Sequence, residues 1–464
     1  MAAISARSAG PRPHLRGRYK LAVGIAVGLI AVLVASSILN FIYLDPVAGS
    51  TSLYGLLAIA LIAVVAFASV RALVRDPARR RLQFVRAGIL LGIAALCWLL
   101  LVDVIVFTDA AGLGVAAVCA LACVPTTAFA ILVLRALDRN ETEPWRFVLL
   151  AVAWGAVVAT SLVIWAEGLW QVIAIRTLVP GPGLDVSEAF SAGILEELAK
   201  GCAVLLLFLV VRNEFDDVVD GIIYGAAVGL GFNFMESVSY MTNLYAIFSP
   251  EGVGGEAAAF QWYARQVLGL FFGHAAYTAF VGAGIGVARQ LPGMRKKVAA
   301  VAAGFIVAIA AHFAWDAWIG IFPIDKSSFE IVEIHMRTLI INGPFTAAVL
   351  AVLFAGIYIE GQALGGQFRK EAALATGAIT PEEVSILTDP WQRFQQRVRA
   401  MGRGGLRAYV LVARLQTAQI DLAMLRWHRQ RQETDMPTEA DDELRRRIGA
   451  LRQQLVAPIT TSRR

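Results

Sequence analysis

The stretch AGILEELAKG at residues 192–201 places Glu196, Glu197 and Lys200 inside an otherwise apolar run. The run around it has the length and composition of a helix that crosses a membrane. A charged side chain at the centre of a bilayer costs at least ~3 kcal/mol. Three charges on adjacent turns therefore require a polar environment inside a helix bundle, and the rest of the chain should supply it.

The composition of the chain indicates a membrane protein. Of its 464 residues 58% are hydrophobic and only 16% are charged, whereas a soluble chain carries about a quarter charged residues. We predict an all-α fold, a polytopic bundle of about ten transmembrane helices followed by a helical tail. The spans lie near 21–44, 53–70, 85–107, 113–134, 147–170, 186–212, 217–243, 262–288, 298–320 and 338–360.

The distribution of Lys and Arg predicts the orientation in the membrane. The arm at 1–20 and the second and eighth loops are rich in basic residues, while the first, third and seventh loops have none. Short cytoplasmic loops hold the excess of basic residues, so we expect a multi-pass cell-membrane protein with both termini in the cytoplasm. The net charge of +6 is then explained without a nucleic-acid partner.

We divide the chain into four parts on this basis. A basic cytoplasmic arm at 1–20 precedes four accessory spans at 21–134, and a six-helix core occupies 135–360. The cytoplasmic helical tail at 361–464 is expected to lie on the lipid bilayer, to pair with itself in a homo-oligomer, or to bind a partner.

Polar residues gather in spans six to nine. They are Glu196, Glu197 and Lys200 in the sixth span, Asn233 and Glu236 in the seventh, His274 in the eighth, and His312 and Asp316 in the ninth. With a rise of 1.5 Å per residue, the glutamates and histidines lie roughly 10–18 Å below the outer surface. Stripes of Gly and Ala in the seventh and ninth spans predict close helix contacts beside them.

The residue types suggest a metal centre. Carboxylate and imidazole together are the ligand set of zinc or a similar divalent ion, and a further glutamate can serve as general base. Lys200 would neutralise one carboxylate, and Asp316 would orient His312. Hydrogen-bonded packing is the alternative for either histidine alone. Asp103 and Glu167 are expected near span ends, where water contact suffices.

In chain order these residues form EExxK at 196–200, FxxxE at 232–236, a histidine at 274 and HxxxD at 312–316. This series over roughly 135–320 resembles the PrsW family of intramembrane metalloproteases. The acidic linker LDRNETEPW at 137–145 also looks like the family. The family is distantly similar to the CAAX prenyl endopeptidases, which have histidine where this chain has Glu236.

The resemblance implies an endopeptidase that hydrolyses membrane-anchored proteins, with anti-sigma factors as a substrate type. It implies Glu196 as the base that activates water, assisted by Glu197. Glu236, His274 and His312 would hold a divalent metal, with zinc expected, or in a metal-free version would orient water and stabilise the oxyanion. Asn233, Lys200 and Asp316 would support them.

Two other classes of protein are compatible with the polar cluster. Intramembrane Glu, His and Lys also build the proton relays of cation-coupled transporters, although the chain lacks the paired broken helices of many transporters. A non-enzymatic scaffold would use the polar residues to hold helices together.

Overall fold

The computed structural model describes residues 13–43, 46–140, 143–177, 182–210, 215–322, 330–430 and 439–456. Within these ranges all regular elements are helical, which confirms the predicted all-α fold. Most of the predicted basic arm, residues 1–12, lies outside them. The α-helices are α1 Pro13–Tyr43, α2 Pro46–Leu73, α3 Pro77–Ala111, α4 Leu113–Leu137, α5 Trp145–Ala153, α6 Thr160–Thr177, α7 Pro182–Val210, α8 Val218–Phe248, α9 Gly254–Tyr263, α10 Gly269–Phe272, α11 His274–Gln290, α12 Met294–Ile321, α13 Glu330–Arg337, α14 Gly343–Ala373, α15 Pro381–Thr388, α16 Pro390–Gln430 and α17 Glu439–Val456.

Nine helical stretches of the described chain are long and apolar enough to cross a membrane. They lie in α1, α2, α3, α4, α5–α6, α8, α9–α11, α12 and α13–α14. The sequence predicts ten, and the difference is α7. This helix has 29 residues, but Glu196, Glu197 and Lys200 place three charges close together in its apolar stretch. It packs against α6, α11 and α12, so its charges face protein.

The chain divides into two compact units. The larger one, here called the bundle unit, contains the described residues up to Leu134 and Pro144–Leu350. The smaller one, the tail unit, contains the described part of Arg135–Glu143 and the described residues from Ala351 onward. The polar residues of spans six to nine all belong to the bundle unit.

Helix α8 contains the most buried of the nine membrane-crossing stretches. Its start is fixed by a capping box in which Asp217 and Asp220 each accept hydrogen bonds from backbone amides of the first turn. A capping box satisfies amides that have no partner within the helix. The cap sets where α8 begins and hence which of its faces meets α11.

Glycines bring α8 and α11 close together. A methyl group at Gly225 would lie 2.5 Å from the carbonyl oxygen of Thr278, and one at Gly229 would lie closer still to that of His274. Gly304 of α12 approaches α11 similarly, with a carbonyl oxygen 2.6 Å from the position of an added Cβ. The predicted small-residue stripes are confirmed as surfaces of close helix approach.

Three π-helical turns interrupt the helices of the bundle unit, at Trp154–Ala159, Ala264–Leu268 and Thr338–Asn342. A break at Gly273, whose φ is −117° and ψ is −130°, separates α10 from α11 and places His274 at the first position of α11. Such insertions redirect side chains and are frequent at functional sites.

The tail unit has its own apolar core, formed by α14, α15, α16 and α17. The segment before α5 also belongs to it. Asn140 donates to the carbonyl oxygen of Ile357 at 2.9 Å and to Glu360 at 3.2 Å, and Arg393 donates to the carbonyl oxygen of Asn140 at 3.0 Å. This segment is therefore held by hydrogen bonds rather than being a loose connection.

Candidate functional site

The structure brings the predicted site residues of four helices into one cluster. Glu196, Glu197 and Lys200 come from α7, Asn233 and Glu236 from α8, His274 from α11, and His312 and Asp316 from α12. The Lys200 and Glu197 side chains are completely buried. The residues that the helical rise predicts at one depth in the membrane thus lie close together in the folded chain.

One oxygen of Glu196 is the centre of the cluster. Its Oε2 lies 3.6 Å from Nδ1 of His274 and 3.5 Å from Nε2 of His312. In the described part of the chain, Glu196, His274 and His312 are the residues whose ligand atoms converge closely enough to hold a metal ion, within 4.8 Å of one another. All three side chains are buried.

Each histidine is held by a second carboxylate on its other nitrogen. Nε2 of His274 lies 2.6 Å from Oε2 of Glu236, and Nδ1 of His312 lies 3.1 Å from Oε1 of Glu197. A carboxylate on one ring nitrogen fixes the tautomer and leaves the lone pair of the other nitrogen free to bind a cation. The second nitrogen of each ring faces Glu196.

Two cations balance these outer carboxylates. Lys200 Nζ lies 2.6 Å from Oε1 of Glu197, and Arg265 Nη1 lies 2.7 Å from Oε2 of Glu236. The sequence predicts that Lys200 neutralises one carboxylate and leaves the other free. In the structure Lys200 also contacts Glu196 Oε2 at 3.1 Å, and its Nζ lies 3.0 Å from Nδ1 of His274.

Asp316 is at the edge of the cluster. Its Oδ2 lies 3.2 Å from Nε2 of His312, and its side chain is 30% exposed, more than those of the three glutamates. Asn233 has a structural contact, since its Nδ2 donates to the carbonyl oxygen of Arg265 at 3.3 Å. Asp316 therefore borders the open space beside the histidines, while Asn233 positions the Arg265 backbone.

Sequence reasoning did not identify Arg265. This residue lies in the π-helical turn Ala264–Leu268, and its guanidinium packs 3.7 Å above the ring of Tyr240 as well as on Glu236. Like Lys200, Arg265 is a basic residue inside a predicted span, and this was the signal that could have identified it. The π turn has no reliable sequence signature, so the direction of the Arg265 side chain could not be predicted.

The two acidic residues expected near span ends differ in their surroundings. Asp103 is buried rather than in contact with water, and the Ser161 hydroxyl donates to both of its oxygens at 3.2 and 3.0 Å. The Oε1 atom of Glu167 is buried and has no hydrogen-bond partner in the described chain. The expectation of water contact was wrong for Asp103, whereas Glu167 lines the cavity described below.

A cavity of about 890 Å³ opens beside the cluster. Among its lining residues in the described chain, Arg265 is the one lysine or arginine. The acidic residues that line it are Glu167, Glu188, Glu196, Glu236 and Asp316. The cavity is thus acidic and admits small polar molecules to the side of the cluster where Asp316 and His274 lie.

The fold and the cluster define a helical, multi-pass membrane protein with a carboxylate–histidine centre inside its bundle. Residues 143–357 match the model of a family described as PrsW family intramembrane metalloprotease, which confirms the resemblance seen in the motifs. The residues of the cluster and of the cavity lining, including Arg265 and Glu167, all lie within this range.

Two proteins called Protease PrsW are similar to part of the chain. The one from Geobacillus kaustophilus (strain HTA426) is 35% identical over 105 residues, which cover 22% of this chain and 43% of that protein. The one from Bacillus subtilis (strain 168) is 32% identical over 104 residues, 22% of this chain and 44% of that protein. The chain thus matches less than half of either relative. No solved structure matches it.

Proposed function

We propose that this protein is an intramembrane endopeptidase that hydrolyses peptide bonds of membrane-anchored proteins at a divalent metal centre, with zinc as the ion. The observation that carries the proposal is the paired arrangement of His274 and His312. Each has one nitrogen on an outer carboxylate and the other directed at Glu196. The match to a family of intramembrane metalloproteases supports the same class.

The donor atoms fit zinc. Zinc bonds of 2.0–2.1 Å in tetrahedral geometry imply ligand atoms about 3.3 Å apart, and two histidines with one glutamate form a known catalytic ligand set. The separations of 3.5 and 3.6 Å from Glu196 Oε2 to the two imidazoles are close to this value. Because Lys200 contacts two of the same atoms, a bound ion would leave the ammonium paired with Glu197.

The distances favour exchanging two of the roles that the family resemblance implies. Glu236 contacts His274 and Arg265, which suits a carboxylate that orients a metal-binding histidine. Glu196 faces the second nitrogen of both imidazoles, which suits a direct ligand of the metal. A zinc ion held by Glu196, His274 and His312 would polarise the scissile carbonyl group and acidify a water molecule.

Asp316 is then the carboxylate that takes up the proton of the attacking water. Its oxygen borders the cavity and lies 3.2 Å from the His312 nitrogen that faces Glu196. A general base must be within hydrogen-bond reach of the proton that it accepts. Glu197 has three partners, Lys200, Thr278 and His312, and assists by holding His312 rather than by contacting water.

The position of the cavity among membrane-crossing helices supports the proposed substrate class. A substrate must reach a site within the bundle, which favours proteins anchored in the same membrane, including regulators such as anti-sigma factors. The basic loops favour a cell-membrane location with both termini in the cytoplasm. A cation-coupled transporter is not favoured, because the matched family consists of proteases.

The first experiment counts metal in protein purified in mild detergent. We expect about one zinc per chain, as in sites with three protein ligands. The zinc should be lost in His274→Ala, His312→Ala and Glu196→Gln. It should be retained in Asp316→Asn and in the control Glu188→Gln, which changes a cavity carboxylate outside the cluster.

The second experiment presents the same variants, reconstituted in liposomes, with membrane-anchored candidate proteins. Asp316→Asn should retain zinc and lose cleavage. If Glu196→Gln retains zinc but loses cleavage, Glu196 acts as the base rather than as a metal ligand. Cleavage by a parent protein that contains no metal would establish the metal-free version. A folded parent protein with neither metal nor cleavage of any candidate would contradict the proposed function.

A further inference from the structure

The first part of α16 in the tail unit presents an apolar stripe to solvent. Trp391 is 63% exposed, Phe394 46%, Val398 46% and Met401 51%. At 3.6 residues per turn these four side chains fall within about 80° of arc on one side of the helix. The Trp391 and Phe394 rings stack with their centroids 5.5 Å apart. We call these four residues the α16 stripe.

The α16 stripe lies in a strongly basic segment. Residues 390–414 contain six arginines and no acidic residue. Four of the arginines, Arg399, Arg403, Arg407 and Arg414, are exposed. The exposed surface of this segment is therefore both apolar and cationic.

The opposite face of the same segment is fixed to the tail unit. Arg393 is buried and donates to the backbone carbonyl oxygens of Arg139 and Asn140. Gln416 donates to the carbonyl oxygen of Arg393 at 3.2 Å, and Arg397 donates to Gln416 at 2.6 Å. These bonds hold the segment from within, so the α16 stripe faces outward in a fixed orientation.

A bend separates this segment from the rest of α16. Gly404 and Gly405 have non-helical backbone angles, and Gly405 has a φ of 64°, a conformation that favours glycine. Beyond the bend the helix enters the apolar core of the tail unit. The segment at 390–403 is thus an independent helical arm with one anchored face and one free face.

We propose that the α16 stripe docks on the surface of an anionic phospholipid layer. An amphipathic helix with aromatic residues on its apolar face and arginines beside them binds in the headgroup region, and its attraction grows with the negative charge of the lipids. Tryptophan is enriched at this interface. The charge of the segment matches such a surface, and the last membrane-crossing stretch, in α13–α14, continues along the chain into the tail unit.

The test uses the full-length chain in nanodiscs of phosphatidylcholine with or without phosphatidylglycerol. Brominated lipids quench tryptophan fluorescence on contact. The signal of Trp391 is isolated as the difference between the parent and Trp391→Phe. Trp427, which lies in the apolar core of the tail unit, provides the control through Trp427→Phe.

We expect brominated anionic discs to quench the Trp391 signal and to leave the Trp427 signal unchanged. In Arg399→Gln/Arg403→Gln the ratio of bound to unbound stripe should fall roughly thirty-fold, about fivefold for each arginine removed near an anionic surface. Circular dichroism and elution volume of each variant establish that it is folded.

Two outcomes would overturn the proposal. Equal quenching of Trp391 and Trp427 in anionic discs would show that the stripe does not enter the lipid layer. Disulfide-linked dimers formed by Val398→Cys, with no lipid quenching of Trp391, would show that a second copy of the chain covers the stripe.

Discussion

Replacing Glu236 with glutamine should weaken zinc binding while leaving in place every atom that faces Glu196. The 2.6 Å contact between Glu236 and Nε2 of His274 has the length of a charge-assisted hydrogen bond. Glutamine keeps an acceptor oxygen but lacks the charge. Loss of a carboxylate that orients a metal-binding histidine lowers affinity by about 10- to 100-fold, which is about 1.4–2.7 kcal/mol.

Arg265 adds a second, separable effect. Its ion pair with Glu236 is 2.7 Å long, and its side chain is 21% exposed. In Glu236→Gln the guanidinium loses this partner and its positive charge opposes the incoming ion. The double variant Glu236→Gln/Arg265→Gln removes that repulsion, so it should recover part of the lost affinity.

The measurement is an equilibrium competition for zinc between each purified variant and a fluorescent chelator in detergent. Glu188→Gln is the matched control, because it removes a carboxylate from the same cavity without touching a histidine. Equal affinities for Glu236→Gln and Glu188→Gln would refute an orienting role. A loss as complete as that in His274→Ala would show that Glu236 binds the ion directly, as the family resemblance implies.

Two further predictions concern packing and charge in the bundle unit. Gly229→Ala places a methyl group against the backbone carbonyl of His274. We expect thermal unfolding to show about 1–3 kcal/mol of destabilisation. Chelator competition should show weaker zinc binding. Gly255→Ala, where an added Cβ meets nothing within 4 Å, is the control, and equal melting of the two variants would contradict the close approach. Glu167→Gln removes one of the five carboxylates that line the acidic cavity, so the melting temperature should rise because like charges at one site repel one another; a lower melting temperature would show that the carboxylate has a stabilising partner.

Much of the architecture could be predicted because membrane helices leave strong signals in sequence. Apolar runs reveal helices that must satisfy their own backbone hydrogen bonds in lipid. The glycine stripe of α8 predicts its contact with α11, since only small residues permit that approach. The convergence of Glu196, His274 and His312 also follows, because three costly residues at one level of a bundle need one another.

The roles within the cluster could not be predicted in the same way. Whether Glu196 or Glu236 faces the second nitrogen of both imidazoles depends on side-chain rotamers and on the break at Gly273 that begins α11. The contribution of Arg265 depends on a π-helical turn. Motif spacing assumes regular helices, so it identifies the residues of the site but not the atoms that meet.

Charge balance connects the buried position of the cluster with the proposed ion. With ionised carboxylates and neutral imidazoles, Glu196, Glu197, Glu236 and Asp316 carry four negative charges, and Lys200 and Arg265 carry two positive ones. The two negative charges that remain would be costly inside a membrane-spanning bundle, and one divalent cation between Glu196, His274 and His312 balances them. A bound metal would therefore stabilise the folded bundle as well as supply the chemistry. On this argument the outer carboxylates and their cations act together to keep both imidazoles oriented and directed at one ion.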